Sequence, residues 1–128
     1  MSTTPRSDPV EGCRPTNQTP VAVDAATIED ASREDLRALA DDLAADGYVP
    51  AEVSAVARFE DDCSFATQRE ADRLRDLVDA AAFLGANRLC VDVETVECPE
   101  KARPALSAVV ERARRDGVAV DVDGLALN

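Results

Sequence analysis

Arg88-Leu89-Cys90-Val91-Asp92-Val93-Glu94-Thr95-Val96 is the stretch on which the fold turns. Leu89, Val91 and Val93 alternate with Cys90, Asp92 and Glu94, the period of two that gives a strand one apolar and one polar face. A strand in a parallel sheet covered on both sides reads instead as an unbroken apolar run. The alternation therefore predicts a sheet packed on one face and wet on the other.

The flanks carry the helical period. From Thr67 to Leu84, the residues Ala71, Leu74, Leu77, Val78 and Ala81 fall on one side of a helix, and Gly85 supplies its stop. On the other flank a helix is expected from Glu100 to Asp116, with Leu106, Val109, Val110 and Ala113 turned inward. Pro104 reads either as a first-turn residue or as a slight kink. Gly117 ends that helix, and Val118, Val120 and Val122 then oppose Ala119, Asp121 and Asp123 in a further strand.

The same rhythm extends backwards. Glu52 to Phe59 reads as a strand with Val53, Ala55, Ala57 and Phe59 opposite Ser54, Val56, Arg58 and Glu60. Before it, Ser32 can cap a helix that has Glu34 and Asp35 in its first turn and Leu36, Leu39, Ala40 and Leu43 on one face, with Gly47 as its stop. Val21 to Ala25 forms a short extended segment. Residues 1–19, rich in Pro, Thr, Ser, Asn and Gly, are expected to be a disordered tail, leaving 20–128 as a single domain. The expected class is α/β. About four mostly parallel strands alternate with three helices packed on one face, as a half-barrel or as a small open, doubly wound sheet.

Three helices cover one face and nothing remains for the second. That uncovered face should carry Asp92, Glu94, Asp121 and Asp123, together with Arg58, toward the strand ends where α/β proteins place their sites. Carboxylates two residues apart on a strand point the same way, and hard oxygen donors suit Mg²⁺, Mn²⁺ or Ca²⁺. The competing reading is ordinary solvated surface. The chain carries 26 acidic against 14 basic residues, a net charge of −12, with Lys101 its single lysine. Such a balance fits a cytoplasmic protein of a halophile, where dense counterions screen self-repulsion.

Composition also excludes. Without histidine, no Ser-His or Cys-His nucleophile pair exists. The five glycines are isolated, so no phosphate-cradling loop is present. Acidic character and 3% aromatic content speak against nucleic-acid binding. No apolar run is long enough to span a membrane, and no secretory signal is evident. The cysteines at 13, 63, 90 and 98 form no C-x-x-C pair, which disfavours a structural zinc site. Cys90 reads as a small buried residue, whereas Cys63 and Cys98 fall at element boundaries, where a reactive thiol could stand. Arg69, Arg73 and Arg75, interleaved with Glu70, Asp72 and Asp76, read as salt-bridged exposed helix surface. Arg112, Arg114 and Arg115 suit the last turn of their helix, and Tyr48 is expected to pack across a helix–strand turn.

The segment Leu77-Val78-Asp79-Ala80-Ala81-Ala82-Phe83-Leu84-Gly85-Ala86-Asn87-Arg88-Leu89, followed by Gly117-Val118-Ala119-Val120-Asp121-Val122-Asp123, resembles the xylose-isomerase-like sugar isomerase and endonuclease barrels. Those proteins show a helix ending in Leu-Gly-Ala, a strand, another helix, then Gly-Val and a strand ending in a metal-binding glutamate. The resemblance places Asp123 at that glutamate's position. Such barrels have eight strands and use histidine, whereas this chain has four strands and none. The resemblance thus implies half a barrel, closed by pairing with a second copy.

Two functions follow as expectations. The first is a non-enzymatic interaction or accessory module of a high-salt cytoplasm, without cofactor, binding a second copy as a homodimer or an unidentified protein partner. The second is a divalent-metal-dependent isomerase, lyase or hydrolase on a dimeric half-barrel. There Asp92, Glu94, Asp121 and Asp123 would be ligands, and Arg58 would orient an anionic substrate.

Overall fold

The computed structural model describes residues 18–60 and 64–125. In chain order the elements are β1 (Thr19–Asp24), α1 (Ala25–Ile28), α2 (Arg33–Ala45), β2 (Tyr48–Phe59), α3 (Ser64–Leu84), β3 (Arg88–Val96), α4 (Pro99–Arg115) and β4 (Ala119–Asp123). The four strands form one sheet in the order β1-β2-β3-β4, every neighbouring pair parallel. A doubly wound sheet reverses direction at a switch point. Here the order never reverses, so right-handed crossovers put all the connecting helices on one side. This order excludes the doubly wound sheet and is the order that half of a parallel barrel would have.

Alternation along each strand sets the two faces. Val53, Ala55, Ala57 and Phe59 of β2 and Leu89, Val91 and Val93 of β3 are buried under the helices. Leu74, Leu77, Val78 and Ala81 of α3 and Leu106, Val109 and Ala113 of α4 meet them from above. Ala57, Ala81, Ala102 and Ala113 are fully buried, so the helices close on the sheet with methyl-sized side chains between them. The core is aliphatic, with Phe59 its one buried aromatic among the described residues.

Local chemistry explains the boundaries. Ser32 Oγ accepts the Asp35 amide at 3.1 Å while the Asp35 carboxylate accepts the Ser32 amide at 3.3 Å, a reciprocal cap that starts α2. Pro99 opens α4, where its missing N–H costs nothing, so Pro104 is an interior helix proline. Gly47 turns the chain into β2 at φ +85, a left-handed conformation that glycine adopts without penalty.

Three elements differ from expectation. The first strand begins at Thr19, whose amide donates to the Gly47 carbonyl at 2.8 Å, so the strand includes the last residue assigned to the anticipated tail. Residues 1–17 lie outside the described residues. Asp24 caps a single helical turn, α1, by accepting the Ala26 amide at 3.0 Å, which a four-residue segment cannot announce through periodicity. β2 starts four residues early and runs through Pro50, where it has β1 on one side only, because β3 joins at Glu52. Tyr48 accordingly begins a strand and is 41% exposed.

Candidate functional site

The uncovered face of the sheet is built in rows. Asp24, Ser54, Cys90 and Asp121 align across the four strands, and Val56, Asp92 and Asp123 form the next row toward the strand ends. Every one of these side chains except Cys90 is exposed; Cys90 is half-buried. Together with Glu52, Glu94, Arg58 and Arg88, the face holds six carboxylates against two arginines. A shallow depression is bounded by Asp24, Ser54, Val56, Cys90, Asp92 and Asp123. Val56, 39% exposed, is the apolar spot among these acids.

The four carboxylates singled out from the sequence share this face but divide into two kinds. Arg58 Nη2 meets Glu94 Oε1 at 2.7 Å, and Arg88 pairs with Asp121. Asp92 and Asp123 stand opposite one another in the β3–β4 ladder, and among the described residues no arginine meets either. Exposed pairs such as Arg58–Glu94 contribute less than about 1 kcal/mol each. Their effect is to leave the Asp92–Asp123 pair as the uncompensated part of the face. Among the described residues, no group of three or more histidine, cysteine, aspartate or glutamate side chains is placed to hold a metal ion within one chain.

Cys90 corrects the expectation of a core residue. It lies on the polar face, with its Sγ 3.7 Å from Glu52 Oε2. Burial first, then the charge and hydrogen bond of Glu52, push its thiol up, so thiolate chemistry is disfavoured. Cys98 occupies the N-cap position of α4 with its Sγ 3.2 Å from Glu100 Oε2. Cys13 and Cys63 lie outside the described residues.

The larger surprise is on α3. Arg75 pairs with Asp72 as the exposed-surface reading expects, but Glu70 and Arg73 turn toward the sheet. Glu70 Oε2 accepts the backbone amide of Arg58 at 2.9 Å, and Arg73 Nη2 donates to the Val56 carbonyl at 2.6 Å. Arg73 also binds Glu70 at 2.9 Å through Nε and at 3.0 Å through Nη2, and reaches Glu29 through Nη1. Burial raises the Glu70 carboxyl, but the Arg73 hydrogen bond, the Arg58 amide and both arginine charges outweigh it and hold the group below its ordinary value. Charge interleaving along a helix cannot distinguish such residues from solvated neighbours, because the signal lies in the strand they reach.

A family model described as "Domain of unknown function (DUF8564)" matches residues 17–122. No curated protein matches the chain. Among solved structures, the chain is similar to a crystal structure of the IolI protein with a bound zinc atom, at a TM-score of 0.55 and 15% identity. The match covers 80% of this chain and 40% of that one, so the chain spans well under half of the larger structure. At this identity the likeness concerns the fold alone, and it agrees with the half-barrel topology.

Proposed function

We propose that this chain, which belongs to the DUF8564 family of unknown function, is an association module whose uncovered sheet face and free edges are closed by a second copy. The observation that carries the reading is an all-parallel sheet with, among the described residues, helices on one side only. Parallel sheets are otherwise found with both faces covered, and among the described residues β1 and β4 each present an unpaired edge as well. Setting β4 of one copy beside β1 of the other, in both directions, would make a closed ring of eight parallel strands and remove every edge. The similarity to a structure of which this chain spans 40% supports that geometry.

The acids on the face set the conditions. Six carboxylates against two arginines would repel across a two-fold axis, and salt screens that repulsion. Association is therefore expected to strengthen with ionic strength, as suits a saline cytoplasm and unlike an interface held by ion pairs. Sedimentation velocity in dilute and in molar KCl tests it. A dimer that forms in molar KCl and is weakened by Val56→Asp supports the reading. A monomer at every salt concentration, at protein concentrations well into the micromolar range, overturns it.

A second reading rests on Asp92 and Asp123, adjacent at the strand ends without arginine partners. In a closed dimer two such pairs could bring donors from both copies to one divalent cation, with Arg58 exchanging its Glu94 partner for an anionic substrate. Metal-dependent isomerase, lyase or hydrolase chemistry would then follow. Melting with and without Mn²⁺, Mg²⁺ or Ca²⁺ tests this: a ligand at 100 times its dissociation constant adds about 2.7 kcal/mol. No shift in wild-type protein, or an equal shift in Asp123→Asn, removes the metal reading.

A further inference from the structure

β1 ends at Asp24, whose register partner is Ser54, yet β2 continues to Phe59. On the far side β3 follows it, pairing Ala55 with Val91 and Ala57 with Val93. On the near side the strand has outrun its neighbour. The carbonyl of Val56 and the amide of Arg58 both point that way, and without partners they would be an open stretch of strand edge. Unpaired edges recruit strands from other chains.

Glu70 and Arg73 fill this place. In a parallel ladder one residue of the neighbouring strand donates its N–H to the carbonyl of residue i−1 and accepts the N–H of residue i+1. Arg73 donates to the Val56 carbonyl at 2.6 Å and Glu70 accepts the Arg58 amide at 2.9 Å, the same two bonds centred on Ala57. The ion pair between the two side chains joins donor to acceptor as a peptide unit would. We infer that Glu70 and Arg73 together take the place of one residue of an absent parallel strand and keep the upper end of β2 from pairing with another chain. The guarded end is separate from the β1 and β4 outer edges invoked above, so the two ideas stand or fall apart.

Glu70 and Arg73 owe their position to the helical repeat: three residues apart, they share a side of α3 facing the strand end. Glu29, just beyond α1, binds the outer nitrogen of Arg73 and fixes the guanidinium in place.

Amide hydrogen exchange combined with light scattering tests the inference, on wild type, Glu70→Ala and the Glu70→Ala/Arg73→Ala double variant. The expected result is selective. The Arg58 amide exchanges at least tenfold faster in both variants, while Ala57 and Phe59, which face β3, keep their protection. The double variant also forms concentration-dependent oligomers absent from wild type under the same salt conditions, and adding Arg58→Pro, which deletes the exposed donor, reverses this. Unchanged Arg58 exchange overturns the surrogate role. Loss of protection throughout β2 in the single variant shows a merely structural contact and also overturns it. Fast exchange at Arg58 with no new oligomers overturns the guarding role.

Discussion

Asp92 and Asp123 face each other directly across the β3–β4 ladder, two carboxylates on the uncovered side of a parallel pair with no arginine between them. Neighbouring strands lie about 4.8 Å apart, so these charges repel in the folded state more than in the unfolded chain. Like charges in opposed positions are destabilising by up to about 1 kcal/mol. Their neighbours Asp121 and Glu94, each met by an arginine, carry no comparable penalty.

Asp123→Asn should accordingly raise the melting temperature by a few degrees in dilute buffer, and the gain should shrink toward zero in molar KCl as screening replaces it. Scanning calorimetry at the two salt concentrations measures both quantities. A gain independent of salt would locate its cause elsewhere.

Glu70 predicts the acid limb of stability. Its folded-state value lies below the ordinary one, so its contribution is fully present above the unfolded value of 4.5 and fades as pH falls through the folded value. Glu70→Gln should cost about 1.5–3 kcal/mol at neutral pH, in line with hydrogen bonds to charged groups. As pH falls through the folded value, the variant and wild type should converge. Urea titrations at pH 7 and at a series of lower pH values supply the comparison.

Two glycines should respond differently to alanine. Gly47 sits at φ +85 with nothing within 4 Å of an added Cβ, so Gly47→Ala should cost only the left-handed backbone, about 1–2 kcal/mol. Gly124, at φ +96, would put that Cβ 2.4 Å from the Val93 carbonyl oxygen. Gly124→Ala must therefore shift the end of β4 off β3 and should cost clearly more. Denaturant midpoints rank the pair, and exchange at Val122 and Asp123 should quicken only in the Gly124 variant.

Alanine content makes the core sensitive in an unusual direction. Leu74→Ala should lose about 2–5 kcal/mol, as large-to-small changes do. Ala81→Leu should also destabilise, by about 1–3 kcal/mol, because a fully buried methyl is what lets α3 approach the sheet. Unfolding midpoints should fall for both, with m-values unchanged.

Much of this architecture can be read from residue order. Strand alternation at Leu89–Glu94 and Val118–Asp123 gives the packed and open faces correctly, since burial on one side only imposes a period of two. The three long helices announce themselves through Leu36, Leu74 and Leu106 at helical spacing, and Arg58 and the four carboxylates fall on the face assigned to them. What stayed hidden has physical reasons. Pro50 argues against a strand unless one knows that β3 is absent there, and α1 is a single turn held by Asp24. Glu70 and Arg73 look like any salt-bridged pair until the strand beneath them is seen to outrun its neighbour.

Sequential strand order also governs how the molecule comes together in time. Tyr48 returns to Thr19, Leu89 to Val53 and Ala119 to Arg88, so each strand closes onto the one made just before it. No pairing waits for a distant part of the chain, and every crossover closes a loop of similar length. Such a chain can acquire its sheet stepwise as it leaves the ribosome, each new helix–strand unit finding its template already folded. In this order β1 is the template laid down first and β4 the last strand added, so a chain halted before Ala119 would expose β3, with the buried Leu89, Val91 and Val93 along it, as its growing edge.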